Sequence, residues 1–170
     1  MTISRYWDWT LDAIPFGNFS KSPLWGPVDG FGGNGPYRDI PADFSGTLIP
    51  GRTGGGCVQD GPFANFTVNL GPQTDVSGHP RCLQRDFSPL FANQNSQKKF
   101  VDYVMSRTDF ASMAWAADGE LFSLTIPAVH DIHFGGHFSV GGSLGVMGDP
   151  PVASSGTSNG ALQRRAEPSC

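Results

Sequence analysis

Apolar residues recur at helical spacing only in the second half of the chain. From Ser96 to Arg107, Phe100, Val101, Val104 and Met105 form a stripe and Ser96 can cap the amino end, which predicts a helix over 96–107. A second start signal, Thr108-Asp109, opens Phe110 to Ala117, where Phe110, Met113, Ala114 and Ala117 share one side before Asp118-Gly119 ends the helix. A third helix follows Pro127 and runs from Ala128 to Val140, until Gly141-Gly142 stops it. From about residue 10 to 95 the pattern differs. Breakers such as Ser22-Pro23, Gly26-Pro27, Gly35-Pro36, Gly54-Gly55-Gly56 and Gly71-Pro72 interrupt the chain before a helix can run three turns. Between them, Phe66, Val68 and Leu70 alternate with Thr67 and Asn69, which predicts a half-buried strand within Phe63 to Leu70. Beyond Pro151 a Ser/Gly-rich run has no apolar period and predicts a disordered tail over 151–170. The resulting organisation is one mainly α domain over 1–150, loop-rich over 1–95 and helical over 96–142, with no internal repeat.

Composition adds weight to the loops. Of 170 residues, 23 are Gly and 14 are Pro, roughly a fifth of the chain where about 12% is ordinary. The 13 Phe and 4 Trp nevertheless imply large apolar surfaces that pack. A formal net charge of −4 gives no electrostatic footprint for a polyanion, so nucleic acid is excluded as a partner. No stretch approaches the ~20 apolar residues that cross a bilayer, and the opening MTISRYWDWT has neither a basic start nor an apolar run, so neither a membrane span nor a signal peptide is expected. Three cysteines, Cys57, Cys82 and Cys170, allow one bridge at most and leave the redox compartment open. The sequons at Asn18 and Asn65 tilt slightly toward the outside of the cell.

The third helix carries the chemistry. At about 100° per residue, His130, His133 and His137 fall within one sector of about 60°. His133 and His137 stand one turn apart, a separation that brings two ring nitrogens within reach of one metal ion. Gly135 and Gly136 cost about 1 kcal/mol each in a helix and let another element approach closely. Imidazole suits copper, zinc, iron and nickel alike. Spacing alone therefore leaves open both a transition-metal site and a set of partly buried, hydrogen-bonded histidines. His79, within Gly78-His79-Pro80, has no partner at ligand spacing and reads as a loop residue. There is no G-x-S-x-G elbow, and the Gly-rich segments lack the Lys-Ser/Thr of a phosphate loop. Asp60-Gly61-Pro62-Phe63 and Arg85-Asp86 read as loop anchors through charge-assisted hydrogen bonds.

Several phrases, taken in order, resemble the fungal branch of the tyrosinases, the type 3 copper phenol oxidases. Arg5-Tyr6-Trp7-Asp8-Trp9 is similar to the Y-W-D-W segment that follows the first copper site. Gly55-Gly56-Cys57-Val58-Gln59-Asp60-Gly61-Pro62-Phe63 and Pro80-Arg81-Cys82-Leu83-Gln84-Arg85-Asp86 resemble the loops between the two sites. His133-Phe134-Gly135-Gly136-His137, followed by Val140-Gly141-Gly142, resembles the start of the second site. The resemblance implies a four-helix bundle with two copper ions, each held by three histidines, using dioxygen to hydroxylate monophenols or oxidise catechols. It assigns His133 and His137 as ligands of one copper, and it implies secretion. If the chain is secreted, a Cys57–Cys82 bridge is open to it, and the sequence leaves undecided whether the two pair. His130 has no ligand role in the pattern and is expected to pack or to hydrogen-bond behind the ligands.

The first site's histidines lie before Y-W-D-W in the family, and none stands before Tyr6 here. No His follows Met147-Gly148-Asp149-Pro150, where the family places its last ligand. The expectation is thus an interior part of a tyrosinase domain, lacking the first copper site and the last ligand of the second. Phe134 stands where fungal relatives often carry Asn, which is expected to favour catechols over monophenols. Three readings follow: a copper oxidoreductase by family that is inactive in these residues alone, a catalytically dead binding module with a weak mononuclear metal site, and an unstable piece whose Phe100/Val104 and Phe110/Met113 stripes drive aggregation. The phenol and the oligomeric state are left open.

Overall fold

The computed structural model describes residues 6–71, 76–118 and 132–148. These residues form short helices set beside a long loop layer: α1 (Thr10–Ala13), α2 (Pro89–Asn95), α3 (Lys98–Met105), α4 (Phe110–Ala117) and α5 (Ile132–Gly141), with a two-stranded ribbon of β1 (Thr67–Val68) and β2 (Arg81–Cys82). Single 3-10 turns occur at Phe19–Lys21, Pro23–Trp25 and Val146–Gly148. The predicted tail and the first turn of the third predicted helix, with His130, lie outside the described residues.

Local chemistry sets the helix ends. The Ser88 hydroxyl accepts from the Phe91 N–H at 3.1 Å, and Pro89 occupies the first helical position, so α2 begins where its donors are satisfied. The sequence pattern gave no helix here. It also placed the start of the next one at Ser96, whereas Ser96 closes α2, its N–H reaching the Ala92 carbonyl at 2.9 Å. The predicted helix over 96–107 is therefore corrected to Lys98–Met105, which starts after Gln97. The α4 helix matches its expected bounds because the Asp109 carboxylate accepts from the Ser112 N–H at 2.9 Å. Those hydrogen bonds hold the Asp109 carboxyl below its ordinary value.

The strand expectation shrinks to two residues. Thr67 faces Cys82 and Val68 faces Arg81 in an antiparallel ribbon, while Phe66 and Leu70 stay more than half exposed. With no sheet beneath it, the alternation has no buried face to mark. The ribbon is tied instead by a disulfide between Cys57 and Cys82, Cα atoms 5.6 Å apart.

Two apolar clusters seat α5. In the first, Phe19, Trp25, Phe87, Ala92 and Val140 are buried, with Trp7 and Leu24 against them. Its rings meet at edges and tilts, Phe19 on Phe87 at 5.1 Å and Trp25 on Phe87 at 4.7 Å between centroids. In the second, Val104, Ala116 and Ile132 are buried beneath Trp9, Phe100, Val101 and Met113. The expected stripes are thus covered in part: Phe100 and Val104 face inward, but Phe110 is 78% exposed and Met105 is exposed as well.

The loop layer is closed by buried charge. Asp86 is fully buried, and its carboxylate accepts from Arg52 Nε at 2.6 Å and from the N–H groups of Gly54, Ser143 and Leu144 at 3.0–3.1 Å. Three of the four donors meet Oδ2 and one meets Oδ1. Arg85 donates to the carbonyls of Gly32 and Gly33 and lies over the Trp25 ring, 5.5 Å from its centroid. Burial pushes its pKa down, and the nearby Asp60 carboxylate partly opposes that shift. Asp60 in turn accepts from the Gly33 N–H at 2.6 Å. Both acidic phrases expected to anchor loops do so. Gly35 is required at its position, since a Cβ there would fall 1.9 Å from the Gly56 carbonyl oxygen.

Candidate metal centre

The last turn of α5 is fastened to the loop layer by backbone. A helix leaves its final carbonyls unpaired, and here the Asp86 N–H donates to the Val140 carbonyl at 3.1 Å and the Ser88 N–H to the Ser139 carbonyl at 2.9 Å. Gly142, at φ +48°, turns the chain away, in a backbone region that favours glycine. The Val146 N–H then reaches the Gln84 carbonyl at 3.0 Å, which fixes the following 3-10 turn and with it Met147.

The adjacent glycines of α5, Gly135 and Gly136, explain the bed on which it lies. A Cβ on Gly136 would come within 2.8 Å of the Trp9 indole, and one on Gly135 within 3.1 Å of the Asn95 Cβ. The helix therefore rests directly on Trp9 and on the end of α2. Trp9 is set by Trp7, which crosses it edge-on at 5.6 Å and donates from Nε1 to the Asp12 carboxylate at 2.8 Å. Asp8 accepts from the Thr10 N–H and hydroxyl and so starts α1. The Trp7-Asp8-Trp9 phrase thus acts as a platform under the histidine helix, while Tyr6 stays exposed.

On that helix His133 and His137 are neighbours, with ring centroids 5.0 Å apart and planes at 50°. His133 Nδ1 lies 2.8 Å from Asp118 Oδ1, and His137 Nδ1 lies 2.9 Å from the Met147 carbonyl oxygen. A carboxylate and a carbonyl only accept. Both Nδ1 atoms must therefore carry the proton and donate it, which leaves Nε2 of each neutral ring with a free lone pair. The His133 side chain is 54% exposed, so this edge of the helix is open to solvent. Phe134 stacks on His133 at 5.6 Å and 14°. The donor set fits two of the positions of an imidazole-bound transition metal. Among the described residues no group of three or more His, Cys, Asp or Glu side chains is placed to hold an ion. His79 is apart from the pair in a loop of its own, its Nε2 2.9 Å from the Ser77 hydroxyl.

Sequence reasoning missed Asp118 and Met147. Asp118 was legible only as a helix end, and a backbone carbonyl leaves no signal in side-chain spacing.

Comparison with known proteins places these features. The model of the common central domain of tyrosinase matches residues 4–156. A tyrosinase-like protein, phomQ1′ of Diaporthe leptostromiformis, is 45% identical over 87 residues, covering 48% of this chain and 20% of its own. The oxidase hkm6 of Aspergillus hancockii is 32% identical over 159 residues, 82% of this chain and 53% of its own. A polyphenol oxidase mutant structure from Thermothelomyces thermophila superimposes with a TM-score of 0.60 at 28% identity, over 85% of this chain and 42% of that one. The chain therefore spans between a fifth and about half of the length of these relatives.

Proposed function

The chain belongs to the tyrosinase family, and from that premise we propose that it carries part of the second copper site of a phenol oxidase, with His133 and His137 as ligands. The observation that carries this reading is the pair of Nδ1-tethered imidazoles, one turn apart on α5, within the residues matched to the family's central domain. Together with a second copper in a complete site, an ion held there would relay electrons from a phenol or catechol to dioxygen. The chain's own residues hold two Nε2 lone pairs on one helix face, keep the rings in one tautomer, and seat the helix on Trp9 and the Asp86 loop layer.

Phe134 presents an apolar ring beside His133 in place of an amide, which supports a catechol rather than a monophenol as substrate. Of the four histidines in the 170 residues, only His133 and His137 correspond to any of the six ligands of a complete family site, so turnover is expected only where four further histidines are supplied. The second reading, a binding module with one mononuclear site, needs only the imidazole pair present here. The Cys57–Cys82 bridge supports an oxidising, secretory location for the chain.

Calorimetric titration with Cu(II) tests the site. One ion per chain is expected, lost on changing both His133 and His137 to Ala. Undiminished uptake by that double variant contradicts the assignment. An oxygen assay with a catechol, run on a longer chain that supplies the further histidines, then separates the two readings, because the binding module consumes none there.

A further inference from the structure

The two histidines are held by different kinds of acceptor, and the difference points beyond the ligands themselves. His137 Nδ1 donates to the Met147 backbone carbonyl, which no side-chain substitution removes. His133 Nδ1 donates to a carboxylate from another helix. Asp118 closes α4, its own N–H returning to the Ala114 carbonyl at 3.0 Å. Two residues earlier, Ala116 packs with Val104 and Ile132, and Ile132 immediately precedes His133. The last turn of α4 and the first turn of α5 are thus brought together by one small apolar cluster, and the Asp118–His133 contact at 2.8 Å is the polar end of that junction.

We propose that Asp118 is the positioning residue of the metal centre: its carboxylate holds the His133 ring with Nδ1 protonated and Nε2 bare. This rests on the copper reading given above and names the residue of that site which sets one ligand's tautomer and aim. A carboxylate behind an imidazole also raises the basicity of the ligating nitrogen. Exposure of both side chains, 54% for His133 and 52% for Asp118, means that the ring is not fixed by burial; Phe134 stacks on one face of it, and the hydrogen bond sets which nitrogen carries the proton.

The test reads ring nitrogens directly. Long-range 15N–1H correlation of the metal-free protein at about pH 8, where an ordinary imidazole is neutral, should show His133 and His137 both as the Nδ1–H tautomer. Asp118→Ala should mix the His133 tautomers and leave those of His137 unchanged. The same variant should lower Cu(II) affinity on the order of 10–100-fold. Asp118→Asn keeps an accepting oxygen and should retain most of both properties. A wild-type His133 found as Nε2–H overturns the proposal without any variant. So does an Asp118→Ala protein with unchanged tautomer and unchanged Cu(II) affinity. A wild-type protein that shows the expected tautomers, with the Ala variant mixing them, but takes up no Cu(II) supports the role of Asp118 and sinks the copper reading instead.

Discussion

Around Asp86 the chain is closed by polar contacts of long sequence separation, whereas the α3–α4 hairpin is held by a few small apolar ones. Asp86 gathers Arg52, Gly54, Ser143 and Leu144 into one buried carboxylate, and Cys57–Cys82 adds a covalent tie. The hairpin buries Val104 and Ala116 but leaves Phe110 and Trp115 mostly in water. The histidine helix lies between these two regions. Its C-terminal turn is sewn to the loop layer by backbone, and His137 takes its acceptor from that side. His133 takes its acceptor from the hairpin side. One imidazole is therefore set by the more constrained region and the other by the less constrained one.

The comparison is broken most directly at Asp86. Asp86→Ala leaves Arg52 Nε and the N–H groups of Gly54, Ser143 and Leu144 without their acceptor, and a loss of about 3–5 kcal/mol is expected in urea unfolding. A loss below about 1 kcal/mol would mean that the loop layer is not closed from this point. Next comes the disulfide. Its 25-residue separation corresponds to about 3.5 kcal/mol of loop entropy removed from the unfolded chain, so replacing both cysteines by Ser should lower the thermal midpoint while leaving the helical circular dichroism of the folded state intact. Smaller again is Gly136→Ala, whose methyl must displace the Trp9 indole at a cost of about 1–3 kcal/mol. Trp fluorescence should shift along with stability, and an unshifted emission spectrum would contradict the platform role of Trp9.

The smallest effect sharpens the other side. The Asp109 carboxyl is held below its ordinary value by the Ser112 N–H and hydroxyl. A depressed folded-state pKa makes the cap's contribution complete above the unfolded value of about 3.9 and lost as pH falls through the folded one. In acid the first turn of α4 should fray, seen as faster amide exchange at Ser112 and Met113, and Asp109→Ala should remove that pH dependence.

Much of the hairpin was legible because its signals are local. Asp109 caps α4 and Gly142 turns the chain after α5, as short-range pattern requires. The histidine pair was legible for the same reason, since i and i+4 share a face whatever the surroundings. The α2 start at Ser88-Pro89 was equally local, but Gly/Pro punctuation on its amino side masked it. Ser96 misled because its hydroxyl and position suit a helix start, while its backbone closes the preceding helix. The loop layer was legible only in part. Arg85-Asp86 could be read as an anchor, but Arg52, Ser143 and Leu144 stand 34, 57 and 58 residues from Asp86, and no periodic pattern encodes such separations. The acceptors of the two histidines, Asp118 and Met147, belong to the same class.

The central claim is that one ion binds through the Nε2 atoms of His133 and His137 together. Paramagnetic broadening on adding a single equivalent of Cu(II) tests it most directly. The ring signals of both residues should broaden in step, with saturation at one equivalent, while those of His79 stay sharp. Broadening of His79 first, or rings at 133 and 137 that remain sharp at one equivalent, would contradict the account.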